Sequence, residues 1–166
     1  MAGPAEVVDA AAFLGMHAVD EATRRACKTF FARRLHNEVL MSLEHVGWCD
    51  DVVWGHARSV QDAYYPFMDT LHTEMALCRL GYDEADLQAA LGTPALQDLP
   101  IRARLLMGMV LRRDAVLHTA HPHLAARGDL PVVPVAPAGE QPFPEHLEQL
   151  YRASLALRIP TELTRG

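Results

Sequence analysis

Nothing in this 166-residue chain is long and apolar enough to cross a bilayer, since no apolar run approaches the roughly 20 residues a spanning helix needs. The N-terminus also lacks the basic start and long apolar centre of a secretory leader, so the cytoplasm is the expected compartment. Cysteine is scarce: Cys27, Cys49 and Cys78 are odd in number and form no C-x-x-C pair. That excludes a disulfide framework and leaves three small hydrophobes for a reducing compartment. There is no phosphate-binding glycine loop, dinucleotide fingerprint, nucleophile elbow or Ser-His-Asp pattern. An excess of positive charge is missing too. The formal charge is −6, which excludes a surface built for general nucleic-acid binding. Two local basic groups remain, Arg24, Arg25, Lys28, Arg33 and Arg34, then Arg102, Arg104, Arg112 and Arg113. Each reads either as a solvated helix face or as a phosphate contact.

What is present is an ordinary globular composition, 50% hydrophobic and 22% charged, in a chain long enough to bury a core without metals or disulfides. Residues 6–15 open with two valines and an acid, the pattern of a buried strand that delivers Asp9 at its C-terminal tip. Asp9 is then either a functional carboxylate at a sheet edge or the cap of the next segment. A helix is expected from Asp20 to about residues 36–37, with its arginines on one face. Residues 38–42 read as a second buried strand, with Glu44 just beyond its tip, and residues 48–55 as a short helix or structured loop. A further helix starts at Ser59 and carries Pro66 inside its apolar stripe, which predicts a kink or break. A weak strand at 75–81, a helix at 82–91 and an apolar helix at 101–111 follow. Gly108 in the last of these points to close packing against a neighbour. Residues 115–119 and 130–135 are the final strands, with prolines placing the second at a sheet edge.

Strands that alternate with helices imply an α/β fold with a central parallel sheet of four to five strands, covered on both faces. The expected division is a domain at 1–136, then a linker and C-terminal helix at 137–166. Leu147, Leu150, Tyr151 and Leu155 form an apolar stripe on that helix, to be buried by this chain or by a second copy in a homodimer.

Nine histidines is a high count, and His118, His121 and His123 concentrate at a predicted strand tip. Alongside Asp9 and Glu44 they make a candidate imidazole and carboxylate site for zinc or iron, which His17 and His45 join from neighbouring loops. The competing reading makes His118 a satisfied core residue and the other two exposed turn residues.

The order of strand and acid, helix, strand and acid, helices, weak strand, helix, strand and threonine resembles the PIN domain over residues 6–135. Val7-Val8-Asp9 looks like that family's opening. Leu105-Leu106 followed by Val116-Leu117-His118-Thr119-Ala120-His121 looks like its helix, apolar strand and Thr-x-Asp ending. The resemblance implies a PIN-like three-layer sandwich and a metal-dependent ribonuclease or phosphodiesterase, of the kind found among toxins of toxin–antitoxin pairs. It also implies a magnesium or manganese site held by about four acids. Asp9 and Glu44 match two of those acids, whereas Arg102 and His121 stand at the other two. The expected assignment is therefore Asp9, Glu44 and His121 in catalysis, the metal on Asp9, Glu44, His118, His121 and His123, and RNA phosphates on Arg102 or Arg104. Two alternatives stay open. One is an inactive PIN-like module that binds RNA or protein, with Arg102 filling the metal's place beside Asp9 or Glu44. The other is a metal-dependent small-molecule enzyme on the same scaffold.

Overall fold

A computed structural model describes residues 2–164. In chain order the elements are β1 (Glu6–Val8), α1 (Ala10–Gly15), α2 (Glu21–Ala32), β2 (Glu38–Ser42), α3 (Leu43–Trp54), α4 (Arg58–Glu74), β3 (Ala76–Leu80) and α5 (Glu84–Gly92). A 3-10 turn (Pro94–Leu96) then leads to α6 (Ile101–Arg112), β4 (Val116–Thr119), α7 (Pro122–Ala125), β5 (Val132–Pro134), α8 (Glu145–Ser154) and α9 (Thr161–Thr164). The five strands form one parallel sheet in the order β3-β2-β1-β4-β5. No helix among the described residues is long and apolar enough to cross a membrane.

Strand alternation divides the core. Val8, Val39 and Met41 face one side, where they meet Phe13, Phe31, Phe67 and Leu71, while Val7, Leu40 and Leu117 face the other and meet Leu106, Met107 and Val110. Helices cover both faces of the sheet, making the α/β three-layer sandwich that its parallel strands require.

Several elements differ from the sequence pattern in extent. α2 stops at Ala32 and the next residues turn, so the helix is shorter than its periodicity suggests. α3 is one 12-residue helix starting directly from β2, because the Ser42 hydroxyl accepts the His45 backbone N–H and caps it. α4 runs through Pro66 without a break. Pro66 lies on the exposed side of the helix, where the carbonyl that loses its partner faces water, so the ring costs a hydrogen bond but not the helix.

The C-terminal helix is part of the core. Leu147 and Tyr151 of α8 are fully buried in the cluster that holds Tyr64, Phe67 and Leu71 of α4, so this chain covers the stripe itself. Polar contacts lock the arrangement. Lys28, the only lysine of the sequence, is completely buried, and its Nζ donates to Glu140 at 2.7 Å and Glu148 at 2.6 Å. Arg24 donates to Glu140 and to the Tyr151 hydroxyl, which donates to the Met16 carbonyl. His17 Nε2 lies 2.8 Å from Ser154 Oγ. The serine's own proton goes to the Tyr151 carbonyl, so His17 is the donor in that pair.

These contacts correct the reading of the basic groups as solvated faces or phosphate contacts. Arg24 and Lys28 are consumed inside the fold, Arg34 pairs with Glu6, and Arg112 and Arg113 pair with Asp86.

Gly108 is where α5 and α6 touch. A methyl group there would stand 2.6 Å from the Asp86 carbonyl oxygen and 2.8 Å from the Ala90 nitrogen. Both are backbone atoms that yield only if α5 moves. Gly108→Ala is expected to cost about 1–3 kcal/mol despite alanine's better helix propensity. Urea denaturation checks this, and an unchanged or raised midpoint would refute the close packing.

Candidate functional site: the strand-end crevice

In an open parallel sheet, ligands collect beyond the carboxyl ends of the strands where the winding reverses. With β2 on one side of β1 and β4 on the other, that place lies at the ends of β1 and β4. A cavity of about 450 Å³ opens there, with Asp9, His45, Trp48, Arg102, Leu106 and His121 in its lining.

Asp9 follows β1 and caps α1. Its Oδ1 accepts the Ala12 N–H at 2.9 Å, and its Oδ2 accepts the Thr119 hydroxyl from the end of β4. Thr119 Oγ1 in turn accepts the His121 backbone N–H. Asp9 thus stands at the tip of β1 and is also the cap of α1. Asp9 is buried, and desolvation raises its pKa to about 6 against the hydrogen bonds that favour ionisation, the Thr119 hydroxyl first among them.

His45 is fixed just as firmly. Its Nδ1 accepts the Ala10 backbone N–H at 2.9 Å, which places the ring proton on Nε2. Burial lowers its pKa to about 4, so the ring stays neutral. Nε2 is buried with no hydrogen-bond partner among the described residues. Trp48, one turn further along α3, packs edge-on against His45 and carries the Arg102 guanidinium over its ring at 4.4 Å.

Arg102 is in the first turn of α6, whose N-cap is Pro100 and receives no side-chain capping bond. Among the described residues its ionic partner is Glu44, 4.0 Å from Nε. Glu44 itself accepts a hydrogen bond from the Tyr82 hydroxyl. On the far wall His121 and His123 have ring centroids 5.6 Å apart, and Arg127 is occupied by Asp98 and Asp129.

The structure thus gathers Asp9, Arg102, His121 and His123 around one cavity, with Glu44 at its edge through Arg102. Three candidates lie elsewhere. His118 precedes Thr119 on β4 and so points to the opposite face of the sheet, where its Nε2 is 2.8 Å from Glu6 and its ring packs on Phe30. Arg104 donates to the Gln97 and Leu99 carbonyls and does not line the cavity. His17 belongs to the core under α8. Sequence reasoning missed Trp48, because the stacking partner that gives it a role is 54 residues away. It grouped His45 with metal ligands, since the Ala10 contact that sets its proton is tertiary.

These residues do not fit a metal held by several carboxylates. Both Asp9 oxygens receive protein donors, a guanidinium stands beside Glu44, and His45 offers a proton where a ligand needs a lone pair. Among the described residues no group of three or more His, Cys, Asp and Glu side chains is placed to hold an ion. The arrangement suits an anion instead: His45, Arg102 and the first turn of α6 all line one cavity with an apolar wall.

The chain belongs to a family of unknown function, DUF6190, whose model matches residues 1–164. No curated protein matches it. For this DUF6190 chain, the matched span includes every residue of the crevice and the whole buried network beneath α8.

Proposed function

We propose that the chain is a cytoplasmic PIN-like module that binds RNA in its strand-end crevice without a metal and without cleaving it. The observation that carries this reading is Arg102, stacked on Trp48 and held near Glu44, where the family resemblance calls for a carboxylate. A guanidinium in that position neutralises the carboxylate as an ion would, and its N–H groups face a phosphate in place of a metal. The other basic residues support a local site, since internal carboxylates take most of them and the overall charge is −6.

Few phosphates are then engaged. Fluorescence anisotropy with single-stranded RNA is expected to show a shallow salt dependence, about −0.7 in log–log slope for each phosphate neutralised. Arg102→Glu is expected to abolish binding. Incubation of the same RNA with magnesium, manganese, zinc or iron is expected to leave it intact. Metal-dependent cleavage that disappears in Asp9→Asn would overturn the proposal in favour of a PIN-like nuclease.

A further inference from the structure

We infer that the crevice seats a phosphomonoester, the terminal phosphate of a nucleotide or of an RNA chain, between His45 Nε2, the Arg102 guanidinium and the first turn of α6. This rests on the RNA-binding reading and narrows it to one chemical group.

The first observation is His45. It is 4% exposed, its proton is forced onto Nε2 by the Ala10 N–H, and that N–H has no acceptor among the described residues. Leaving a buried donor unmade is costly, so a side chain held this way calls for an acceptor from outside. The second is Arg102, whose guanidinium is positioned by Trp48 and by an ion pair at 4.0 Å, neither of which is a close hydrogen bond. Its donors are therefore available and already oriented. The third is the start of α6, a 12-residue helix with no side-chain cap, whose first turn lines the same cavity and presents the positive end of its dipole.

Shape argues for a chain end. The floor is closed by Asp9, Ala11 and His45, all at most 4% exposed, and about 450 Å³ accommodates roughly one nucleotide. A strand passing through would need an exit at the floor. A terminal phosphate enters from the mouth and offers three oxygens and nearly two charges to donors on three sides. Leu99, Ala103 and Leu106 then face the sugar and base. Asp9 turns its oxygens to the Ala12 N–H and the Thr119 hydroxyl, so its carboxylate is held by protein donors and is not presented bare to the anion.

Isothermal titration calorimetry of the full chain tests the inference with AMP, UMP, the matching nucleosides, inorganic phosphate, and one short RNA carrying a 5′-phosphate, a 3′-phosphate or hydroxyls at both ends. Phosphorylated ligands are expected to bind at least roughly tenfold tighter than their unphosphorylated counterparts. The two RNA ends and the free nucleotides show which source fits best. His45→Asn keeps an oxygen for the Ala10 N–H and removes the Nε2 donor. It is expected to weaken phosphorylated ligands roughly 10- to 100-fold while leaving nucleosides and the thermal midpoint unchanged. Arg102→Gln, on the half-exposed rim, serves as a second variant and should act in the same direction. Equal binding of nucleotides and nucleosides, or an unaltered affinity in both variants, would overturn the inference. If hydroxyl-ended RNA binds as well as phosphorylated RNA and still needs Arg102, the phosphate seat fails and the RNA-binding module stands. If nucleotides bind through their phosphate and no RNA binds, the seat stands and the RNA reading fails.

Discussion

Lys28→Ala is expected to lower the stability of the fold by about 3–5 kcal/mol, the range for breaking a buried ion pair from one side. The ammonium has no exposure and lies between Glu140 and Glu148, with the nitrogen itself over the rings of Phe143 and Tyr151. Removing it takes the close cation from buried Glu148, which keeps only the longer pair to exposed Arg152 at 3.6 Å and the Phe143 N–H on its other oxygen. That leftover charge, more than the lost attraction, sets the cost. The double variant Lys28→Met with Glu148→Gln should recover most of the loss, because the glutamine keeps an acceptor for Phe143 and no bare charge remains. Guanidinium denaturation of wild type, single and double variants decides the matter. A single variant within 1 kcal/mol of wild type would show that the pair is not sealed from water.

Acidification is expected to destabilise the protein largely through His17. Burial lowers the His17 pKa from 6.5 to about 3, with Arg158 and Arg24 pushing the same way. Below pH 6.5 the unfolded chain therefore takes up a proton that the folded chain refuses, and stability falls with pH until about 3. At about 1.4 kcal/mol per pH unit, this one group removes roughly 2 kcal/mol between pH 7 and pH 5. His45 works in the same direction, with its pKa lowered to about 4. Asp9 works against both. Its folded pKa of about 6 exceeds the ordinary 3.8, so its contribution is fully present below 3.8 and is lost as pH rises through 6. His17→Gln, whose amide reaches Ser154 as the imidazole nitrogen does, should remove one proton's worth of this slope. Urea midpoints at pH 7 and pH 5 read it directly. Identical pH dependence in variant and wild type would mean that His17 is hydrated in the folded state.

The buried thiols follow the same physics with less consequence. Desolvation pushes Cys27 up to about 12 and raises Cys49 further, so both stay protonated and unreactive at neutral pH. They are small hydrophobes, as their spacing suggested.

Legibility in the sequence tracks how local each determinant is. Val7-Val8-Asp9, residues 38–42 and the Gly108 helix carry their structure in adjacent residues, through β-branching, burial pattern and a missing side chain, and all three stand where the pattern puts them. The α/β class follows from alternation of strands and helices, and alternation survives errors in the ends of α2 and the continuity of α3 and α4. The crevice residues were found unevenly for the same reason. Asp9 and His121 sit at strand ends and are visible as such, whereas His118 is one residue out of register with the site, and a period of two sends it to the other face.

By itself, then, the sequence determined the alternating elements, the parallel sheet and the placing of one acid at the end of its first strand, because hydrophobic period and chain reversal are properties of neighbours. Only the tertiary structure decided which charges are free. Arg24, Lys28, Arg112 and Arg113 look like a basic surface until Glu140, Glu148 and Asp86 arrive from distant segments to take them. Arg102 looks like one more of that set until Trp48 holds it open over the crevice. The proton on His45 was settled the same way, by the Ala10 N–H at the start of α1. Charge pairing and tautomer depend on contacts across the fold, and a linear pattern does not carry them.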